Sequence, residues 1–222
     1  MKRSLHLLLD FSGRLVYLAG TSLVIYLVGG GRLFIRQPVG ILYLSLWNTW
    51  WIVTFLGRRS GRPTRYDSGR NWLVILSGLL AVPFLIVVPP LEYALYTGPL
   101  PRNGWLAWIG LVAFATGIVI QVLAMRQLGS FFTVRLGVQA GQQLVTTGVY
   151  RWIRHPGYFS YLLSITGIAL TLSSLATLVF IVPILIFLKY RIASEEKMLI
   201  AEFGDAYWQY QHKTWRLIPF IY

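Results

Sequence analysis

Long apolar runs dominate the pattern of hydrophobic and polar positions along the chain. Four windows are long enough to cross a hydrocarbon layer of about 30 Å as helices. They are residues 13–31, 38–57, 72–96 and 104–125. The third window contains Pro83, Pro89 and Pro90, which remove backbone donors and should kink or end that helix near its outer half. Each window predicts one membrane-spanning helix.

The second half of the chain has a different pattern. Residues 127–157 mix glycines, polar residues and aromatics without a sustained apolar run, which predicts a loop or interfacial segment. Residues 157–194 are almost entirely apolar and too long for one ordinary crossing, with Ser173 and Ser174 near their middle. We therefore predict two helices in a tight hairpin, followed by a tail whose aromatic and basic residues suit the membrane interface.

Composition favours an integral membrane protein. Of 222 residues, 56% are hydrophobic and only 12% are charged, a balance that water-soluble proteins rarely have. In so apolar a chain, the formal charge of +13 indicates basic loops beside anionic membrane lipid rather than nucleic-acid binding. The absence of cysteine excludes disulfides and thiolate metal sites, and we expect no metal. Asp10 and Arg14 interrupt the first apolar run, so we interpret it as mature sequence.

Basic residues are unevenly divided between the two sides of the predicted bundle. With six crossings and the N-terminus inside, one side receives three bases near the N-terminus, five between 58 and 70, four between 126 and 154, and five from Lys189 onward. Arg32, Arg36 and Arg102 fall on the other side. Because basic loops stay inside, we expect both termini and the loop at 127–157 in the cytoplasm.

The stretch YRWIRHPGYFSY at 150–161 places charged residues at the predicted start of the hairpin. Pro156 suits the first position of a helix, whose early amides have no intrahelical acceptor. Those amides, together with Arg151 and Arg154, favour an anionic carboxylate or phosphate, and Gly157 lets such a group approach the backbone. The residues alone leave an alternative equally open, in which the arginines are ordinary cytoplasmic loop residues.

A second polar cluster follows the hairpin, in RIASEEKMLIAEFGDAY at 191–207. Arg191, Glu195 and Glu202 fall on one helical face, whereas Glu196 points about 100° away. One interpretation is a solvated helix end with an Arg191–Glu195 pair. The other is that one acid of the glutamate pair, beside the arginine-rich helix start, complements a ligand that carries both signs of charge.

Together the two clusters resemble motifs of the isoprenylcysteine carboxyl methyltransferase family, membrane enzymes that also resemble phospholipid N-methyltransferases. The matching stretches are LVTTGVYRWIRHPGY at 144–158, RIASEEKMLIAEFGDAYWQY at 191–210 and RLIP at 216–219. Their joint occurrence is specific, whereas RHP alone would be weak. With the hydropathy pattern, the resemblance implies an all-α polytopic membrane bundle of about six spans with a cytosolic cofactor pocket. Residues 1–126 would form four N-terminal spans and residues 127–222 the methyltransferase core.

The resemblance implies S-adenosylmethionine as the methyl donor, enclosed between the two motifs on the cytosolic side. It places the following residues in the cofactor pocket: Leu144, Val145, Gly148, Tyr150, His155, Pro156, Tyr158 and Glu196. Glu196 would hold the ribose or the ammonium group of the cofactor. Because methyl transfer is an in-line displacement, the protein contributes mostly positioning and electrostatics.

The acceptor is expected to be lipophilic: an isoprenylcysteine-like carboxylate, another lipid or a small hydrophobic molecule. A guanidinium would hold a carboxylate bidentately, with Arg154 as the first candidate and Arg216 as the second. An amine, thiol or phenol would instead need a base, and His155 or Glu195 are candidates. The sequence KYRIAS at 189–194 resembles bacterial members, so we expect a prokaryotic inner membrane and do not assume prenylated cysteine as the acceptor.

Two other functions remain open. Membrane sterol reductases have a similar hairpin and an RHxNYxG motif for NADPH, but Gly157 replaces the asparagine here, and Phe159 and Ser160 follow Tyr158 in place of the glycine and acid. A non-catalytic scaffold or transporter is the other alternative, although transporters need polar groups at mid-membrane, of which these helices hold few. The stretch WNTWW at 47–51 is better explained by helix packing than by substrate contact.

Overall fold

The fold is a bundle of long helices. The computed structural model describes residues 2–57, 64–67, 71–95, 99–132 and 137–221. Its α-helices are α1 (Lys2–Val28), α2 (Arg32–Arg36), α3 (Pro38–Gly57), α4 (Asn71–Leu95), α5 (Trp105–Leu128), α6 (Pro156–Thr171), α7 (Leu175–Phe203) and α8 (Asp205–His212). Short 3₁₀ turns lie at Gly129–Phe131 and Gly148–Arg151. Two short strands, β1 (Thr64–Asp67) and β2 (Gly137–Gln139), pair antiparallel.

The predicted helices and the hairpin are confirmed. Each N-terminal window overlaps one long helix, although α1 begins at Lys2, well before its window. The helices α6 and α7 are joined by the turn Leu172–Ser174. Ser174 caps α7, since its hydroxyl accepts a hydrogen bond from Thr177 N at 3.1 Å. The helix α4 does not end at its prolines but continues through all three to Leu95. The strand pair β1–β2 is an addition to the predicted all-helical chain.

Three helical stretches in the described part of the chain are long and apolar enough to cross a membrane: Gly78–Leu95, Trp105–Phe131 and Leu175–Phe203. A shorter apolar stretch, Ser12–Val28, lies in α1. The number of six crossings therefore stays a prediction. The five arginines predicted for a cytoplasmic loop between 58 and 70 lie outside the side chains that the structure describes.

The long helices pack in a ring. Along this ring α1 contacts α3, α3 contacts α5, α5 contacts α6, α6 contacts α7, α7 contacts α4, and α4 returns to α1. Large side chains such as Trp47, Phe114 and Ile165 are fully buried between them. Because these side chains are buried between helices, they contribute to helix packing and do not face lipid.

The closest pair in the ring is α5 with α6. A Cβ atom at Gly110 would lie 2.4 Å from Thr171 N, and one at Gly167 would lie 2.5 Å from Phe114 N. Glycine is therefore required at both positions for the two backbones to touch. Near the start of α6, the Ser160 hydroxyl lies 3.2 Å from a side-chain oxygen of α5. The N-terminus of α6 is thus fixed on a rigid neighbour.

The helix ends form two groups at opposite ends of the bundle. One group, the turn end, surrounds the turn Leu172–Ser174, where Ser173 Oγ donates to Pro101 O at 3.1 Å and the Ser174 hydroxyl donates to the Glu92 carboxylate. The other group, the site end, contains residues 148–158 and the last turns of α7. The two groups lie at opposite ends of α7, and which of them faces the cytoplasm stays a prediction.

Candidate functional site

The candidate site forms where α6 begins. His155 is the residue before the helix and Pro156 is its first residue, as predicted. The backbone just before the helix pairs with the C-terminal tail, because Arg154 N donates to Trp215 O at 2.8 Å and His155 N donates to Arg216 O at 3.2 Å. Two motifs that are distant in sequence are thereby held side by side.

Glu196 is the centre of a buried charge cluster. Its Oε1 atom lies 3.1 Å from Arg154 Nε and 3.3 Å from His155 Nε2, and its Oε2 atom lies 2.6 Å from Arg216 Nη2. The residue is only 5% exposed. Arg154 also donates from Nη1 to Gln211 O at 2.8 Å. The cluster therefore joins α7, the start of α6 and the tail.

A second group of polar side chains lies beside this cluster. The Tyr158 hydroxyl donates to Glu195 Oε2 at 2.7 Å and accepts from Arg191 Nε at 2.7 Å. The rings of His155 and Tyr158 are stacked, with centroids 5.7 Å apart. The tyrosine thus bridges Arg191 and Glu195, which the sequence suggested as a simple helical pair.

These residues face a cavity of about 1020 Å³ inside the ring. Its polar end lies at the start of α6 and is lined by Arg154, His155, Tyr158, Arg191 and Glu195. Its apolar end is lined by side chains of α1, α3, α4 and α7, namely Tyr17, Trp50, Trp51, Phe55, Val82, Ile184, Phe187 and Leu188. One continuous cavity therefore joins a charged end to an apolar end, as a binding site for an amphipathic ligand requires.

Most residues predicted for the cofactor pocket line this cavity. They are Leu144, Val145, Tyr150, His155, Pro156 and Tyr158. Gly148 instead lies in a 3₁₀ turn with φ of +58°, where a Cβ atom would collide with the Gln127 side chain. Glu196 lies behind the wall, in the charge cluster. The two predicted anion-holding arginines differ too, since Arg154 lines the cavity and Arg216 does not.

Sequence reasoning missed the contribution of the N-terminal helices. Trp50 and Trp51 line the cavity together with Tyr17, whereas Trp47 and Asn48 form packing contacts within the bundle. The predicted packing role therefore covers only part of WNTWW. No local motif marks these positions, because facing the cavity depends on how α1, α3 and α4 are arranged around α6.

The polar end has features that suit a ligand with both signs of charge. The first-turn amides of α6 point out of the helix, and a Cβ atom placed on Gly157 would meet nothing within 4 Å among the described residues. The buried Tyr207 hydroxyl also lines the cavity and has no hydrogen-bond partner in the described part of the chain. Burial raises the pKa of Tyr207 far above its usual range, with Glu196 adding to the shift, so the hydroxyl remains a donor.

The described residues contain no group of three or more His, Cys, Asp and Glu side chains that could hold a metal ion.

The chain is similar to membrane methyltransferases. The model of the isoprenylcysteine carboxyl methyltransferase family matches residues 108–201. A probable protein-S-isoprenylcysteine O-methyltransferase of Oryza sativa subsp. indica is 33% identical over 170 residues, which are 75% of this chain and 85% of that protein.

Two further comparisons extend the similarity over the N-terminal helices. The protein-S-isoprenylcysteine O-methyltransferase of Dictyostelium discoideum is 26% identical over 186 residues, which are 82% of this chain and 76% of that protein. The solved structure of a eukaryotic intramembrane Ras methyltransferase matches with a TM-score of 0.59 and 22% identity, covering 94% of this chain and 75% of that one. At this identity the structural match supports the fold alone. The N-terminal helices, where no motif was recognised, are thus part of the shared fold.

Proposed function

The chain belongs to the isoprenylcysteine carboxyl methyltransferase family, and from this premise we propose that it transfers a methyl group from S-adenosylmethionine to the carboxylate of a lipophilic, isoprenylcysteine-like acceptor. It is an integral membrane methyltransferase. The observation that carries the proposal is the continuous cavity with one polar and one apolar end. Family membership does not favour an NADPH-dependent reductase or a non-catalytic membrane protein.

The polar end offers complementary groups for the methyl donor. When bound, S-adenosylmethionine supplies an electrophilic methyl group on a sulfonium. The first-turn amides of α6 and the Arg154 charge suit its carboxylate, while Glu195 suits its ammonium. Leu144, Val145 and Tyr150 shape the wall. In this arrangement Glu196 is a positioning residue, because it holds Arg154 and His155 from behind instead of facing the cavity.

The acceptor carboxylate needs a cation but no base, because it reacts in its ionised form. Arg191 is the strongest candidate to hold it, since this buried guanidinium lines the cavity and contacts Tyr158. Arg154 remains a second candidate, although its Nε and Nη1 atoms already bind Glu196 and backbone carbonyls. Arg216 lies outside the wall and pairs with Glu196. Orientation of the two reactants and the electrostatics of the cavity then supply most of the rate enhancement.

The membrane orientation is part of the proposal. The site end faces the cytosol in this arrangement, so a soluble cofactor reaches the polar end while the acceptor tail stays among the helices. The seventeen lysine and arginine residues that the sequence assigns to this side support a cytosolic site end. The prokaryotic inner membrane stays a prediction, because the relatives compared above are eukaryotic.

A methyl-transfer assay tests the proposal directly. Detergent-purified protein is incubated with methyl-labelled S-adenosylmethionine and N-acetyl-S-farnesylcysteine, and the product is treated with alkali. A carboxyl methyl ester releases labelled methanol under these conditions, whereas N-methyl and S-methyl groups do not. We expect alkali-labile label in the product, and calorimetric binding of S-adenosylhomocysteine but not of NADPH.

Other outcomes would change the function in defined ways. If N-acetyl-S-farnesylcysteine is not methylated and a lipophilic amine or thiol offered in its place receives alkali-stable label, the protein is still a methyltransferase and His155 or Glu195 takes the role of base. Binding of NADPH alone would contradict the proposed donor. Binding of neither compound would contradict the assignment of the polar end as a cofactor site.

A further inference from the structure

We infer that a recess at the turn end of the bundle binds the phosphate group of a membrane phospholipid. The recess has a volume of about 510 Å³, and its lining residues are Leu33, Arg36, Gln37, Arg102 and Asn103. Arg102 follows Pro101, whose carbonyl accepts the hydrogen bond of Ser173 in the α6–α7 turn. The recess therefore lies away from the candidate site, and the inference goes beyond the proposed function without depending on it.

The recess presents positive charge and hydrogen-bond donors. Two of its five lining side chains are guanidinium groups, those of Arg36 and Arg102, and two are carboxamides. A guanidinium binds phosphate oxygens bidentately, and the N–H groups of a carboxamide add neutral donors. No acidic side chain lines the recess in the described part of the chain. An anion is therefore the ligand that this lining fits best.

The acidic residue nearest in sequence to this recess is used elsewhere. Glu92 is the only acid in the sequence segments 28–38, 90–105 and 171–177, which also contain three arginines. Its carboxylate accepts hydrogen bonds from Ala176 N at 3.2 Å and from the Ser174 hydroxyl. The Glu92 charge thus stabilises the start of α7, where backbone donors lack intrahelical acceptors.

Tyr93 holds both walls of the recess. Its side chain is almost fully buried. On one side, the Arg102 guanidinium lies 4.2 Å from the centroid of the Tyr93 ring, and the Tyr93 hydroxyl donates to Asn103 Oδ1 at 2.8 Å. On the other side, the buried Phe34 of α2 meets the same ring edge-on, with centroids 5.1 Å apart. The two walls are therefore fixed relative to each other before a ligand binds, which lowers the entropic cost of binding.

The contacts with Tyr93 are compatible with binding an anion. Stacking uses the face of the Arg102 guanidinium, whereas the N–H groups of a guanidinium lie in its plane. The Asn103 side-chain oxygen accepts the tyrosine hydrogen bond, so the N–H groups of the same amide remain as donors. Asn103 has φ of +57°, in the left-handed region where asparagine is enriched. This turn therefore places two donor residues side by side.

The recess lies at the level expected for lipid head groups. The membrane-long apolar stretch Gly78–Leu95 ends before Arg102, and the stretch Trp105–Phe131 begins after it. Trp105 is exposed, and tryptophan is enriched where a bilayer meets water. Leu33, which lines the recess, is exposed as well. A lipid with its phosphate in the recess can keep its acyl chains against apolar side chains, which favours a phospholipid over free phosphate.

Replacement of the recess arginines tests the inference. The double variant Arg36→Gln with Arg102→Gln removes both charges, and Arg36→Gln alone changes only an exposed side chain. Arg32→Gln is the matched control, because Arg32 is an exposed residue of the same helix and does not line the recess. Each delipidated protein in neutral detergent is titrated with phosphatidylglycerol while its melting temperature is measured, since a ligand of the folded state raises that temperature.

The expected result is a loss of lipid affinity that is specific to the recess. We expect the apparent Kd for phosphatidylglycerol to rise about tenfold or more in the double variant and about threefold in Arg36→Gln, because charged hydrogen bonds are lost. Arg32→Gln should bind the lipid like the unmodified protein. The single variant keeps the test decisive if the double variant does not fold. Equal Kd values in Arg36→Gln and Arg32→Gln would overturn the phosphate site.

Two further ligands separate the phosphate group from the rest of the lipid. Diacylglycerol has the acyl chains without the phosphate, and glycerol 3-phosphate has the phosphate without the chains. We expect neither compound to match phosphatidylglycerol. Equal stabilisation by diacylglycerol would overturn the phosphate site. If glycerol 3-phosphate matches the lipid and loses its effect in the recess variants, the recess binds free phosphate and the assignment to a phospholipid is wrong.

Discussion

Adjacent glutamates on α7 reach different surroundings because neighbouring residues on a helix point about 100° apart. The Glu196 carboxylate contacts three basic side chains and is almost fully buried. The Glu195 side chain is 34% exposed and accepts a hydrogen bond from Tyr158 at the cavity wall. One acid therefore stabilises the site from behind, and its neighbour is available to a ligand.

This difference predicts separate effects of removing each charge. Glu196→Gln should lower the free energy of unfolding by about 2 kcal/mol, because it leaves the partly buried guanidinium groups of Arg154 and Arg216 without a counter-charge. Glu195→Gln should cost less than about 1 kcal/mol of stability, as expected for a partly exposed pair. It should instead weaken S-adenosylhomocysteine binding roughly tenfold, through loss of a charged contact.

Thermal unfolding in detergent and calorimetric titration with S-adenosylhomocysteine measure the two effects. Glu202→Gln serves as the control, since Glu202 does not line the cavity. A stable Glu196→Gln variant that loses cofactor binding would show that Glu196, and not Glu195, contacts the ligand. Unchanged affinity in both variants would contradict the placement of the cofactor.

At the scale of elements, the α5–α6 pair determines where the site begins. Its glycines bring two backbones into contact, so the start of α6 cannot shift without moving α5. From the end of α5, Gln127 Oε1 also accepts a hydrogen bond from Val149 N at 3.1 Å. The 3₁₀ turn at 148–151 and the first turn of α6 are thus positioned by the same helix.

Gly167→Ala tests this role, because its Cβ atom would press on backbone atoms of Gly110 and Phe114, which cannot rotate away. We expect a loss of about 2 kcal/mol in unfolding free energy, typical of overpacking. Gly20→Ala in α1 is the matched control, since its Cβ atom meets no described neighbour within 4 Å. It should be neutral or stabilising by up to about 1 kcal/mol. Equal thermal stabilities of the two variants would contradict a rigid contact.

At the scale of the whole molecule, the charged residues of the candidate site and the α6–α7 turn lie at opposite ends of the helix bundle. The charged groups of the proposed reaction lie at the site end, while the α6–α7 turn and Glu92 lie at the turn end. The apolar part of the cavity lies between these two ends. In the proposed function, the water-soluble donor binds at the site end and the apolar tail of the acceptor lies deeper among the helices.

Cysteine labelling tests the orientation of the molecule in its membrane. Gln209→Cys in α8 and Pro99→Cys, before α5, both replace exposed residues, at the site end and the turn end respectively. A membrane-impermeant maleimide added to intact cells should label position 99 at once and position 209 only after permeabilisation. The reverse order would place the site end outside, and labelling of both positions in intact cells would contradict the topology.

The sequence by itself determined the long helices and the place where the candidate site begins. Apolar runs that are long enough to cross the hydrocarbon layer specify helices, because backbone groups in lipid must form hydrogen bonds within the segment. Pro156 specified the start of α6, and the polar serines near position 173 marked the hairpin turn. These features depend only on residues that are close together in the sequence, so they can be predicted from the sequence.

Only the tertiary structure decided which side chains share the cavity. Arg191 faces it while Glu196 and Arg216 lie outside its wall, although all three belong to the matching stretches at 191–210 and 216–219. Tyr17 and Trp51 join the site from helices that carry no recognised motif. Hydrophobic periodicity distinguishes apolar from polar faces, but in a membrane bundle the lipid-facing and cavity-facing surfaces are both apolar. Which face meets the cavity therefore depends on contacts between distant helices.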